Sequence, residues 1–187
     1  MDAALATAVA ALRQGGLVVY PTDTLLGLGA LACDRRAVDR LVAAKGRSAA
    51  QPISVCLSST EEVDRYARLT PAARRFVRRH LPGPFTILVR PSSESRRSFA
   101  ATIARRPTIG IRVPDHPTAR ALARVAGPLT ATSANRHGAA PARTRSVARR
   151  SFGRAVRVYL PATPAGSGVP STLVDLTGAE PREVRRH

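Results

Sequence analysis

Gly15 to Gly29 reads G-G-L-V-V-Y-P-T-D-T-L-L-G-L-G, and this stretch decides the fold. Leu17, Val18, Val19 and Tyr20 form a continuous apolar run rich in β-branched and aromatic residues, which suits a strand buried on both faces. Pro21 cannot donate to a ladder, so the chain leaves the sheet there. Thr22, Asp23 and Thr24 then arrive as a polar cluster at the strand's carboxyl end, where open α/β sheets bind ligands. Gly27 and Gly29 follow and offer either positive φ or close approach of another group to the main chain. The G-x-G-x-x-G fingerprint and the Walker P-loop are both absent.

Outward from this stretch, strands alternate with helices. Ala3 to Gln14 places Leu5, Val9 and Leu12 at helical spacing before Gly15-Gly16 ends the helix. Asp34 caps a second helix from Arg35 to about Ala44, with an apolar face of Val38, Leu41 and Val42, which leaves Lys45, Gly46 and Arg47 in the following loop. Pro52 to Leu57 reads as a strand, and Ser59-x-x-Glu62 as a capping box for a short helix ending at Tyr66. Thr70-Pro71 opens a helix whose Arg74, Arg75, Arg78 and Arg79 form a solvated face. Phe85 to Val89 is a strand, and the polar stretch from Pro91 to Arg106 reads as a long surface loop with a short helical turn. Thr108 to Val113 is a strand, Thr118 to Ala126 a helix, and Leu129 to Thr132 a strand. Thr144 caps a basic helix to Phe152, and the strands Val156 to Leu160 and Thr172 to Leu176 close the pattern. The alternation predicts a single α/β domain over residues 1–187, with a twisted open sheet of mixed, partly parallel strands flanked by helices.

The chain of 187 residues is long enough to bury a core, and 44% hydrophobic content places it among globular proteins. No apolar run is long enough to span a bilayer, and Asp2 with its alanine-rich neighbours lacks a basic signal-peptide start; the expected location is the cytoplasm. Cys33 and Cys56 have neither C-x-x-C spacing nor nearby histidines, so both read as reduced thiols outside any zinc site. The formal charge of +18 favours polyanionic partners such as nucleotides and RNA. Aromatic content of 4% without tryptophan argues against a base-stacking platform. Of the 30 basic residues, 29 are arginine and only Lys45 is lysine. A coding bias toward arginine that spares one lysine marks a position where a compact, mobile ammonium acts on phosphate or carboxylate.

Polar clusters recur at strand ends: Thr22-Asp23-Thr24, Ser133-Ala134-Asn135 and Pro170-Ser171-Thr172, with Arg112 inside the Thr108 strand. Hydroxyls, an amide and isolated arginines can hydrogen-bond and neutralise an anion without supplying a nucleophile. His80, His116, His137 and His187 lack metal-ligand spacing, and the nucleophile-elbow pattern G-x-S-x-G is missing. Chemistry by positioning and charge neutralisation, as in phosphoryl or nucleotidyl transfer, fits this inventory.

Six segments in order carry a resemblance: Y-P-T-D-T-L-L-G-L-G, K-G-R-S-A-A-Q-P-I, P-G-P-F-T, G-I-R-V-P-D-H-P, T-S-A-N-R-H-G and P-S-T-L-V-D-L-T-G. Together they resemble the YrdC-domain family of threonylcarbamoyl-adenylate synthases, over nearly the whole chain from Ala3 to Arg185. The resemblance implies a YrdC-like sheet with a basic concave active-site cavity. It also implies a reaction of L-threonine, bicarbonate and ATP to L-threonylcarbamoyl-AMP and pyrophosphate, with Mg²⁺ carried on the ATP phosphates and no protein metal site. A partner transferase then moves the threonylcarbamoyl group to adenosine 37 of tRNA. The implied threonine site is Thr24, Cys56, Arg112, the backbone at Ala131, and Ser171. The implied ATP site is Lys45, Arg47, Gln51, Thr108, Ser133, Asn135 and Arg185, with Lys45 and Arg47 dispersing charge on the leaving pyrophosphate.

Three departures from the family pattern stand out. Cys56 occupies a position where many relatives have histidine, Asp23 one where many have glutamate, and the terminal motif appears as Arg185-Arg186-His187. Longer relatives also carry a C-terminal domain with no counterpart in this sequence. The competing reading is an RNA- or tRNA-binding maturation factor that makes no adenylate. A carbamoyl-adenylate module of the kind embedded in hydrogenase maturation proteins is a third.

Overall fold

Tyr20 is too large for the space beside an ordinary strand, and its partner strand is built around that fact. In the computed structural model, which describes residues 2–48, 50–163 and 166–184, Val18–Tyr20 (β1) pairs antiparallel with Gly27–Gly29 (β2), Tyr20 facing Gly27 and Val18 facing Gly29. A Cβ at Gly27 would lie 2.7 Å from Tyr20 Cζ, and one at Gly29 2.8 Å from its Cε1. The two glycines are therefore strand residues that make room for a buried ring: of the two expectations, positive φ or close approach of another group, it is close approach that holds. The ring is anchored by its hydroxyl, which donates to the Thr130 carbonyl at 3.2 Å.

The remaining elements are an N-terminal helix Ala3–Arg13 (α1), then Arg35–Lys45 (α2), Ser54–Cys56 (β3), Glu61–Tyr66 (α3), Ala67–Arg68 (β4), Pro71–His80 (α4) and Phe85–Pro91 (β5). They continue with Ser93–Ser98 (α5), Ala101–Ala104 (α6), Ile109–Arg112 (β6), Pro117–Ala126 (α7), Leu129–Ser133 (β7), Arg145–Phe152 (α8), Val158–Tyr159 (β8), Thr172–Asp175 (β9) and Arg182–Val184 (β10). The strands form one mixed sheet in the order β10-β9-β5-β6-β3-β7-β2-β1-β8, with β4 also on β5. β1 with β8, β3 with β6 and β5 with β9 run parallel. Caps fall where the side chains can accept: Asp34 from Ala37 N, Thr70 from Ala73 N and Thr144 from Val147 N.

Helices cover the two faces of the sheet unequally. On one face Val19, Leu28, Val55, Ile87, Val89, Ile109 and Ile111 pack under residues of α2, α4, α6 and α8. On the other, Val18, Tyr20, Cys56 and Leu129 pack under α1 and α7 alone. Those two helices leave the middle of that face open.

Several expected boundaries shift. α2 runs through Lys45 and ends on Gly46, whose φ of 64° is the left-handed C-cap, so the lysine belongs to the helix and not to the loop. Pro91–Arg106 is not a surface loop: it holds α5 and α6, with Phe99 stacked on Tyr66 at 4.8 Å and Ile103 fully buried. Two short helices present too few apolar positions for periodicity to reveal them. Glu62 reaches back to the amide and hydroxyl of Ser58, both at 3.0 Å, and not to Ser59. β10 has no apolar alternation, since its Arg182 and Glu183 are exposed.

Gly27→Ala is expected to lower stability by ~1–3 kcal/mol, the usual range for forcing a methyl into filled space. Urea denaturation measures it. In a Tyr20→Ala background the same glycine substitution should cost much less; equal costs in both backgrounds would show that the ring is not what the glycine accommodates.

Candidate active site

The open part of the second face is a cavity of about 760 Å³, within the ~300–1,000 Å³ usual for small-molecule sites. Its floor follows the two-residue period of the strands. Ser54 and Cys56 of β3, Gly110 and Arg112 of β6, Ala131 and Ser133 of β7, and Thr86 and Leu88 of β5 all line it. Most of these side chains are too small to fill the space above them. Gly110 has none: a Cβ there would sit 2.3 Å from Ser54 Oγ. The site is thus laid across the face of the sheet, and the strand-end clusters form its rims; the expectation of a site at the carboxyl ends of the strands is corrected to that extent.

One end of the cavity holds Arg112, Cys56, Tyr20, Thr22 and Thr24. Arg112 Nη2 donates to Asp23 Oδ1 in an ion pair in which both side chains are nearly buried. Thr22 Oγ1 donates to the Leu25 carbonyl at 2.6 Å and accepts from Thr24 N at 3.2 Å, which fixes the turn. Cys56 is fully enclosed, and burial pushes its thiol up to about 12. Burial likewise raises the Tyr20 phenol well above its ordinary value. Both groups are therefore neutral at physiological pH, and the thiol is not a thiolate nucleophile. Thr86 and Ser171 hydroxyls meet at 2.7 Å on the flank.

At the other end stand Arg47, Gln51, Arg106, Thr108 and His137. From Ile109 to Arg112 β6 advances about 10 Å, at ~3.3 Å per residue, and Thr108 lies just before it. Arg47 Nη2 is held by the carbonyls of Gln51 and Pro52, each at 3.0 Å. Burial, with the Arg106 guanidinium nearby, lowers the Arg47 pKa. Gln51 Nε2 lies 3.5 Å from His137 Nε2.

The sequence-derived candidates Thr24, Arg47, Gln51, Cys56, Thr108, Arg112, Ala131, Ser133, Asn135 and Ser171 all line this one cavity. Lys45 does not. Its ammonium lies behind the wall and donates to the carbonyls of Ser133 at 2.6 Å and Asn135 at 2.8 Å, while its own carbonyl accepts from His137 N at 2.7 Å. Burial, then Arg47, brings its pKa down to about 8. Arg185 lies outside the described residues. Tyr20, Ser54, Thr86, Arg106 and Gly110 were missed as lining residues. For Ser54 and Gly110 the available signal was the alternation of small residues with Val55, Ile109 and Ile111 along β3 and β6. Among the described residues the lining contains no carboxylate. Among the described residues no group of three His, Cys, Asp or Glu could hold a metal ion, and no helix is long and apolar enough to cross a membrane.

Comparison with known proteins places this geometry. Residues 10–187 match the Sua5/YciO/YrdC family model, described as telomere recombination. The threonylcarbamoyl-AMP synthase of Methylobacillus flagellatus is 38% identical over 171 residues, covering 90% of this chain and 93% of that protein. The human threonylcarbamoyl-AMP synthase is 41% identical over 133 residues, covering 71% of this chain and 46% of its own length. The crystal structure of P. abyssi Sua5 complexed with L-threonine superposes with a TM-score of 0.85 at 30% identity, over 97% of this chain and 53% of that one, so this chain spans about half of the Sua5 protein. A family model that covers all but the first nine residues, and a relative 38% identical over 93% of its own length, establish that the chain belongs to the Sua5/YciO/YrdC family.

Proposed function

We propose that this chain is a threonylcarbamoyl-AMP synthase, a nucleotidyltransferase that joins L-threonine, bicarbonate and ATP to give L-threonylcarbamoyl-AMP and pyrophosphate. The observation that carries the reading is one cavity lined by Arg112 on β6 and, beyond the start of that strand, by Arg47 and Arg106, with small hydroxyl-bearing residues between them. An amino acid and a nucleoside triphosphate can lie there end to end. At the Arg112 end, the fork binds the threonine carboxylate, with Thr24, Ser171, the Ala131 backbone and the neutral Cys56 thiol around the rest of the molecule. At the other end, Arg47 carries triphosphate charge, and Gln51, Thr108, Ser133 and Asn135 belong to the nucleotide site; the resemblance adds Arg185, which lies outside the described residues.

In the proposed reaction the threonine amine, having lost its ammonium proton, condenses with bicarbonate to a carbamate with release of water. A carbamate oxygen then attacks the α-phosphorus in line, the bond from that phosphorus to the bridging oxygen breaks, and pyrophosphate leaves. No protein nucleophile is required, and the chain acts by orientation and by dispersing negative charge. Because the lining has no carboxylate among the described residues, Mg²⁺ would come as the counter-ion of ATP, and no step is assigned to it. The product would pass to a tRNA threonylcarbamoyl-transferase in the cytoplasm.

Lys45 takes a different role from the point charge on phosphate that the sequence suggested. Its two carbonyl contacts tie the end of α2 to the Ser133–Asn135 segment, which makes it a positioning residue for the nucleotide wall. Lys45 is 4% exposed, and a planar guanidinium at the same place would have to fit its other nitrogens into that closed wall.

Pyrophosphate release should require threonine, bicarbonate and ATP together; release that persists with threonine omitted would overturn the assignment. Arg112→Lys should raise KM for threonine at least tenfold while KM for ATP stays near its wild-type value. Lys45→Arg should lose at least tenfold in kcat/KM for ATP despite conserving the charge. Lys45 also generates a pH dependence. Its folded pKa of about 8 lies below the ordinary lysine value, so the folded state binds fewer protons than the unfolded chain between pH about 8 and 10.5. The penalty for burying the ammonium is fully present below that window. Wild-type stability measured against Lys45→Met should therefore rise with pH through it, and a flat difference would contradict the burial.

A further inference from the structure

The Asp23–Arg112 pair differs from every other ion pair among the described residues. Its side chains are 13% and 11% exposed, whereas in each other pair one side chain is about half exposed or more. Away from water a carboxylate cancels a neighbouring guanidinium's charge with little screening. The pair is also held from the Asp23 side. The Asp23 carbonyl accepts from Ser167 N and the Thr24 carbonyl from Gly168 N, both at 2.9 Å. Gly166 presses so closely on this turn that a Cβ there would lie 2.4 Å from the Thr24 carbonyl oxygen and 2.5 Å from that of Thr22. A strap of residues 166–168 thus clamps the backbone that carries Asp23. Arg112 itself lines the cavity, so its guanidinium meets a ligand there with its charge already balanced by Asp23.

The far end of the cavity is different. Arg47 is held by two carbonyls and stands beside Arg106, so its positive charge is not cancelled by its hydrogen-bond partners. A zwitterionic amino acid carries no net charge and can enter a neutral end. A polyphosphate entering the same end meets the Asp23 carboxylate behind the guanidinium.

Resting on the assignment of Arg112 to the amino acid's carboxylate, we propose that Asp23 is a specificity-determining residue that keeps phosphate groups away from the Arg112 end of the cavity. Phosphate is then confined to the Arg47–Arg106 end, and the two substrates can bind in only one order along the cavity.

The test is isothermal titration of the purified chain with inorganic pyrophosphate, backed by inhibition kinetics. Wild type should bind one pyrophosphate. Asp23→Asn should bind a second, and pyrophosphate should become competitive with threonine with an inhibition constant at least tenfold lower than in wild type. The double variant Asp23→Asn/Arg112→Gln should return to one. Arg112→Gln alone, with Asp23 in place, should bind pyrophosphate within twofold of wild type. Unchanged stoichiometry in Asp23→Asn overturns the proposal, and so does a loss of pyrophosphate affinity in Arg112→Gln. Where Asp23→Asn does not fold, Asp23→Ser takes its place in the titration, and a single site in that variant likewise overturns the proposal. Titration needs no turnover, so a wild type that binds one pyrophosphate but releases none from ATP would sink the synthase reading and leave the partition of charge standing.

Discussion

Small side chains on one face of the central strands are the constraint from which this molecule's layout follows. A sheet in an α/β protein ordinarily has both faces covered by helices, because each presents apolar residues that must leave water. Here β3, β6 and β7 alternate. Val55, Ile109, Ile111 and Thr130 point to the face packed by helices, while Ser54, Gly110, Ala131 and Ser133 point to the other. A helix laid over the second set would gain little from burial, and α1 and α7 stop short of it. The uncovered floor is polar enough to stay wet and narrow enough to be a cavity. Any larger residue at Gly110 would meet the Ser54 hydroxyl first.

This arrangement explains which parts of the site were legible in the sequence. Motif residues were recognisable because their chemistry is unusual for their position: a threonine pair after a buried strand, an arginine inside one, a serine and an asparagine after another. Their convergence follows from strand order. β7 lies between β2 and β3, and β3 lies beside β6, so clusters far apart in the chain become neighbours on one face. The floor was not legible in the same way, since glycine, alanine and serine carry no chemical label. Only their alternation with branched residues marks them, and over strands of three to five residues that signal is short. α5 and α6 were hidden for a related reason. Their anchors, Ser95, Phe99 and Ile103, are few and spread over two separate turns of helix.

Glycine had two readings in the opening motif, and packing selects between them. Gly27 and Gly29 do not have positive φ; they are extended residues whose missing side chains leave room for the Tyr20 ring. The ring in turn covers the inner end of the cavity beside Cys56 and sends its hydroxyl to Thr130. A single aromatic residue thereby couples the register of the β1–β2 pair to the floor of the site. The Asp23 turn begins immediately after it, so the position of the charged pair is set by the same few residues.

Lys45 shows what a compositional clue can locate: the position is singled out by the sequence, and the structure sets its ammonium against two carbonyls outside the cavity lining. A chain with arginine at 29 of its 30 basic positions uses the guanidinium wherever a fork, a solvated charge or a long reach will serve. The remaining position demands an ammonium whose nitrogen reaches two carbonyls, at 2.6 and 2.8 Å, from within a wall. Burial there opposes the charge and lowers the pKa to about 8. The nearby Arg47 guanidinium adds to that shift. One compact donor in the wall thus ties the end of α2 to the Ser133–Asn135 segment, whose two end residues line the cavity.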